Sequence, residues 1–236
     1  MGNRSGGRPL SVGRGTPGQL GLGLMWALVL VAAVYFIRRD AVPYSDYTAN
    51  TYGRFWTLRY WLIPHILGAG PALLLGPLQF SSDIRRRWAV FHRAVGRVYV
   101  VGGLVAAVAA FRLALASRCQ PCVPPLAILA VLWFATTATA LWAARRRAFG
   151  LHRQFVIRSY VLMCAFVIIR LIDDIPLPLA IEDKHVRRSV FEWLCWVVPF
   201  VLTEVWLSWS PAIRDARKPP NDEMRTKPAQ ATELRR

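Results

Sequence analysis

The chain has 236 residues, of which 55% are hydrophobic and only 18% charged, and its mean hydropathy is +0.33. A soluble domain of this size covers itself with more charge, so the composition excludes the ordinary soluble globular class and implies a membrane protein. The formal charge of +17 suggests nucleic acid at first sight, yet 20 of the 30 Lys and Arg fall in segments that loop alternation places on one side; that is an orientation signal, and nucleic-acid binding is set aside.

In chain order, Arg4, Arg8 and Arg14 make residues 1–19 a basic segment. A spanning helix needs roughly 20 apolar residues, and six stretches qualify: Leu20 to Ile37, Tyr60 to Phe80, Val98 to Ala116, Val123 to Ala144, Phe155 to Ile172 and Val190 to Ser210. The first has the basic flank of a signal peptide. Its core is too long, however, and Arg38-Arg39-Asp40 stand where small cleavage-site residues belong, so it reads as an uncleaved anchor. The prediction is an all-α polytopic protein with a six-span membrane domain over 20–210. Residues 211–236, with Pro219-Pro220 and mixed charge, read as a disordered cytoplasmic tail.

A motif is written twice. Arg85-Arg86-Arg87, four residues and His92-Arg93 return 60 residues later as Arg145-Arg146-Arg147, four residues and His152-Arg153. A further Arg and Tyr follow each copy, Arg97 with Tyr99 and Arg158 with Tyr160. The unit is a helix pair joined by a basic turn, repeat A about 60–116 and repeat B about 123–172, with a closing helix at 190–210. The basic turns put both termini and both Arg triplets on the cytoplasmic side of the membrane, and the Cys119 to Cys122 connection outside. The two pairs are then parallel copies about an axis along the membrane normal, forming a four-helix core with spans one and six outside it. Gly68, Ala72 and Gly76 on one span and Gly102, Ala106 and Ala110 on the next mark faces of close helix approach.

Ionisable groups inside a bilayer cost about 2.5–3.5 kcal/mol each on insertion scales, so each asks for a reason. They fall in two layers. The cytoplasmic layer holds His92, Arg97, Tyr99, His152, Arg158, Tyr160, Gln79 and Glu204; the outer one holds His65, Arg112 and Arg170, with Asp173-Asp174 beyond. His92 and His152 at matching repeat positions suit two axial imidazoles on a b-type haem, with Arg97, Arg158, Tyr99 and Tyr160 placed to hold propionates. A histidine at a helix start also serves to bind lipid phosphate or to cap the helix. Glu204 lies at the depth of Arg97 and Arg158, where an intramembrane ion pair competes with a proton-relay role. Cys119-Gln-Pro-Cys122 fits a loop disulfide better than a redox motif, because no following His or thioredoxin-like context accompanies it. Cys164 and Cys195 read as small apolar packing residues. No Gly-rich phosphate loop, His-Glu-x-x-His or Gly-x-Ser-x-Gly occurs, which leaves a nucleotide-driven pump or soluble-type hydrolase without support.

The stretches His65-Ile-Leu-Gly, Ala72 to Phe80, Phe91-His92-Arg93 through Tyr99, His152-Arg153 through Arg158-Ser159-Tyr160 to Arg170-Leu171, and Trp193, Trp196 and Glu204 resemble the family of membrane proteins grouped as domain of unknown function 2306. The likeness covers roughly Tyr60 to Trp209, departing at Phe155-Val156, where the family pattern has Trp-Met. It implies a multi-span bacterial membrane protein and no activity. Helix number and histidine placement also give a looser likeness to diheme b-type cytochromes. The sequence therefore points first to a small electron carrier with haem b between His92 and His152, exchanging electrons with quinone or another redox partner. The alternatives are a transporter or small-molecule-binding protein using Gln79, Arg97, Arg158 and Glu204, and a structural or regulatory membrane partner.

Overall fold

The computed structural model describes residues 17–173 and 181–216, and every regular element among them is helical. Arg4, Arg8, Arg14, Asp174 and the tail beyond Ala216 lie outside the described residues. Among the described residues, five helical stretches are long and apolar enough to cross a membrane: Ala49–Phe80, Ala89–Leu115, Gln120–Arg145, Phe149–Ile172 and Lys184–Ser210. In lipid no water can satisfy a free N–H or C=O, so an apolar chain closes its own backbone hydrogen bonds, and the helix is the form that does so within one segment.

The first helix, α1 (Pro17–Phe36), occupies the place of the first expected span and runs into a π-helical turn at Ile37–Ala41. The short α2 (Ala49–Tyr52) and a 3-10 turn at Gly53–Leu58 lead into α3 (Arg59–Phe80). Across the basic turn, α4 (Ser82–Arg87) is capped by the Ser81 hydroxyl, which accepts from the N–H of Ile84. Next come α5 (Ala89–Leu115) and α6 (Val123–Arg145), joined by a turn that the Cys119–Cys122 disulfide closes. The span expected at Phe155 to Ile172 is two helices, α7 (Phe149–Met163) and α8 (Ala165–Asp173), separated at Cys164. No proline or glycine accounts for that break. Last is α9 (Lys184–Ala216), whose first turn is capped by Asp183. Several helices begin or end beyond the apolar stretches, because arginine and histidine at a helix end reach the headgroup zone while the backbone stays helical.

The four helices α3, α5, α6 and α7 pack in sequence order, α3 on α5, α5 on α6 and α6 on α7. The tightest approach is between α3 and α5. A Cβ on Gly102 would sit 2.7 Å from the backbone oxygen of Gly68, so these backbones meet only because neither residue has a side chain. The next residue, Gly103, faces Thr137 of α6 instead. The fourth side of the bundle, between α3 and α7–α8, is loosely closed, and α1 lies across it against α3 and α8. Helix α9 packs outside α6, α7 and α8, where the Ser189 hydroxyl donates to the carbonyl of Pro121 at 2.6 Å. Trp133, Leu129, Leu162, Thr137 and Ser159 are fully buried at the centre.

Candidate functional site

The loose seam leaves a cavity of about 370 Å³ at the end of the bundle that carries the disulfide. Its wall is assembled from separate segments: Asp40 after α1, His65 and Leu73 on α3, Leu129 and Trp133 on α6, Phe166 and Arg170 on α8, and Arg188 and Glu192 on α9. The inner part is apolar. Among the described residues the lining also holds four arginines, Arg54, Arg118, Arg170 and Arg188, and two carboxylates, Asp40 and Glu192, with Arg54 and Arg118 at the rim. Asp40 accepts from Arg39 Nε at 2.9 Å and lies 3.6 Å from Arg170 Nε, which ties the end of α1 to α8. Arg188 Nε donates to the buried carboxylate of Glu192 at 3.0 Å, one turn along α9. Arg54 and Arg118 are exposed.

His65 is fixed in the wall. Its Nδ1 lies 3.0 Å from the carbonyl oxygen of Ala106 on α5, and its ring meets Trp133 and Phe166 edge to face, with centroids 6.4 and 5.7 Å away. A carbonyl oxygen only accepts, so Nδ1 carries the hydrogen and Nε2 of the neutral ring is left as an acceptor. The indole N–H of Trp133, also in the cavity lining, is buried and finds no hydrogen-bond partner among the described residues. One fixed acceptor and one unsatisfied donor therefore belong to side chains in the wall.

At the arginine end, His92 and His152 are each the fourth residue of their helix, α5 and α7. His152 Nδ1 donates to the Ala140 carbonyl at 2.8 Å, whereas His92 Nδ1 is buried without a hydrogen-bond partner among the described residues. Arg158 makes a two-point ion pair with Glu204, Nε to Oε1 at 2.6 Å and Nη2 to Oε2 at 2.8 Å. The Tyr99 hydroxyl is bonded to Ser159 at 2.9 Å, and Ser159 to Thr137 at 2.7 Å; the Tyr160 hydroxyl donates to the Leu73 carbonyl. Arg97 is exposed, and Gln79 makes only a long contact, 3.5 Å, to the His92 carbonyl. So Tyr99 and Tyr160 spend their hydroxyls inside the bundle, Arg158 is paired with Glu204, and the residues the sequence groups as one cytoplasmic layer form four separate arrangements with Arg97 apart.

Of the outer layer, His65 and Arg170 come together in the cavity wall; Arg112 is exposed and stays apart from it. Asp40, Trp133, Arg188 and Glu192 are missed by the sequence reading. Glu192 carries a usable signal, an acid four residues after Arg188 on an apolar helix. No group of three or more His, Cys, Asp or Glu arranged to hold a metal ion occurs among the described residues.

These features define a polytopic helical membrane protein with a polar-rimmed cavity at one end. Over residues 62–207 the chain matches the family described as predicted membrane protein, domain of unknown function 2306, and it belongs to that family. No curated protein matches it. No solved structure does either.

Proposed function

We propose that this chain is a small-molecule-binding protein of the bacterial inner membrane, of the carrier type, that admits its ligand to the cavity at the disulfide end. In this reading α1 is the sixth span, both termini are cytoplasmic, and the two hairpins α3–α5 and α6–α7 are parallel copies. The observation that carries the reading is the cavity itself: a cleft between the helices with an apolar lining, ionic side chains and a fixed imidazole acceptor. Close packing is the rule in protein interiors, and sites for small molecules are mostly apolar clefts with a few placed polar groups. This moves the transporter reading from the cytoplasmic layer, where Arg158 and Glu204 are paired, to the opposite end.

Access tests it. In a Cys164→Ser/Cys195→Ala background, Ala69→Cys places a thiol in the cavity wall and Leu67→Cys places one on the exposed face of α3. A membrane-impermeant methanethiosulfonate added to intact cells modifies Ala69→Cys and leaves Leu67→Cys untouched. Failure to modify Ala69→Cys, with Gln120→Cys on the neighbouring turn modified as a control, removes the outward-open cavity.

A second reading keeps haem b between His92 and His152, with quinone or another redox partner. What favours it is the His152 Nδ1 bond to Ala140, which leaves Nε2 of that ring as a ligand atom. Against it, Arg158, Tyr99 and Tyr160 are engaged elsewhere. A reduced-minus-oxidised spectrum of haem-replete protein decides: a Soret difference that disappears in His92→Ala/His152→Ala supports it, and no difference ends it.

A further inference from the structure

Resting on the reading of the cavity as a ligand site, we infer that its occupant is a single-tailed amphipathic acid, an apolar body ending in one anionic head. The rim sets the sign of charge. Among the described residues the lining holds four arginines and two carboxylates, and Arg54 and Arg118, exposed at its rim, have no carboxylate partner. Such a rim attracts and pairs an anion and repels a cation. The interior sets the rest of the molecule: Leu62, Leu73, Leu129, Met163, Phe166 and Trp133 present carbon and ring surface, which rewards an apolar body and penalises a second charge. His65 adds a finer demand: its Nε2 only accepts, so a hydroxyl within the apolar body would give it a donor. A neutral ligand would make no use of the arginines.

The experiment measures saturable binding of radiolabelled dodecanoate to full-length protein in nanodiscs of zwitterionic lipid, corrected with empty nanodiscs. Unlabelled dodecanoate should compete and dodecyltrimethylammonium should not. Arg54→Gln/Arg118→Gln, at exposed positions, should weaken binding about tenfold while leaving the protein folded. Gly70→Leu should abolish binding: a Cβ there meets nothing within 4 Å, so the larger side chain enters the void without displacing a neighbour. Equal competition by the cation, or no effect of the arginine changes, overturns the anionic class. Loss of dodecanoate binding on adding phosphatidylglycerol to the nanodisc overturns it as well, by identifying a phospholipid site. If no saturable binding appears while Ala69→Cys is still modified from outside, the ligand class is wrong and the cavity stands; if Ala69→Cys is inaccessible too, the parent reading fails.

Discussion

The Tyr160 hydroxyl donates to the carbonyl oxygen of Leu73 at 3.1 Å, and Leu73 is the residue four before Pro77. Proline has no N–H, so the carbonyl four residues earlier loses its helical partner. Tyr160 supplies the missing donor from another helix, and it gets close enough because Gly76 has no side chain. A Cβ on Gly76 would run into the Tyr160 ring. Gly76-Pro77 is thus a notch with an unsatisfied acceptor, and Tyr160 fills both parts of it. Tyr160→Phe should destabilise the protein by about 1 kcal/mol, the scale of hydrogen bonds between membrane helices. In a Pro77→Ala background, which restores the helical donor, the same change should cost much less. Unfolding midpoints of the four proteins in detergent give the coupling, and an equal cost in both backgrounds removes the link.

The contact of α3 with α5 gives a second prediction. Replacing Gly102 by Ala puts a methyl 2.7 Å from the Gly68 oxygen and 3.3 Å from its Cα, both backbone atoms that move only if the helices separate. Overpacking of this kind costs about 1–3 kcal/mol. Gly70→Ala, with nothing within 4 Å, is the matched control and should be neutral or mildly stabilising through helix propensity. Comparable losses from both would show that the close approach is unimportant.

Much of this was legible in the sequence. Five of the six expected spans were, because an apolar run of sufficient length has one stable form in lipid, and so were Gly68, Gly102 and Ala106 as contact positions, because small residues at helical spacing are a pattern. The role of Tyr160 was not: Pro77 leaves the carbonyl of Leu73 without its helical donor, but which side chain meets that carbonyl depends on tertiary placement. The repeat misled in one respect. Seven residues separate His92 from Tyr99 and eight separate His152 from Tyr160. One extra residue turns a helical position by about 100°, so the two tyrosines take different partners, Ser159 and the Leu73 carbonyl. The cavity was invisible because a gap between helices leaves no periodic trace, and its wall is drawn from segments scattered between Phe36 and Cys195.

The start of α9 should respond to pH. Asp183 Oδ1 accepts from the N–H groups of Val186 and His185, at 3.1 and 2.7 Å, and those two bonds hold its carboxyl below the ordinary value of 3.8. A depressed folded value means that the cap's contribution is present above 3.8 and is lost as pH falls through the lower folded value. The difference in unfolding midpoint between wild type and Asp183→Ala should therefore be full at pH 6 and shrink below the ordinary carboxylate range. A difference that stays constant down to the acid limit would mean the carboxylate contributes only as a neutral acceptor.

Orientation follows from the basic turns. Alkaline phosphatase fused after Cys122 should be active and the same enzyme fused after Arg147 inactive, placing the disulfide end outside. The opposite pattern would turn the cavity toward the cytoplasm and with it the direction from which a ligand arrives.

The last prediction concerns Arg158 and Glu204, joined by two hydrogen bonds between α7 and α9. The Arg158 side chain is 16% exposed and that of Glu204 36%, so the guanidinium is the more buried partner and suffers more when left alone. Glu204→Gln removes the charge but keeps an oxygen acceptor, and it should cost on the order of 1–3 kcal/mol, the range for hydrogen bonds to charged groups. Arg158→Leu combined with Glu204→Gln removes the stranded cation and should recover a large part of that loss. A proton-relay carboxylate would behave differently: the single Gln variant would keep its yield, and the second change would rescue nothing. Monodisperse protein after detergent extraction, measured for wild type, both singles and the double, separates the two. Normal yield from Glu204→Gln alone would show that this ion pair does not hold α9 to the bundle.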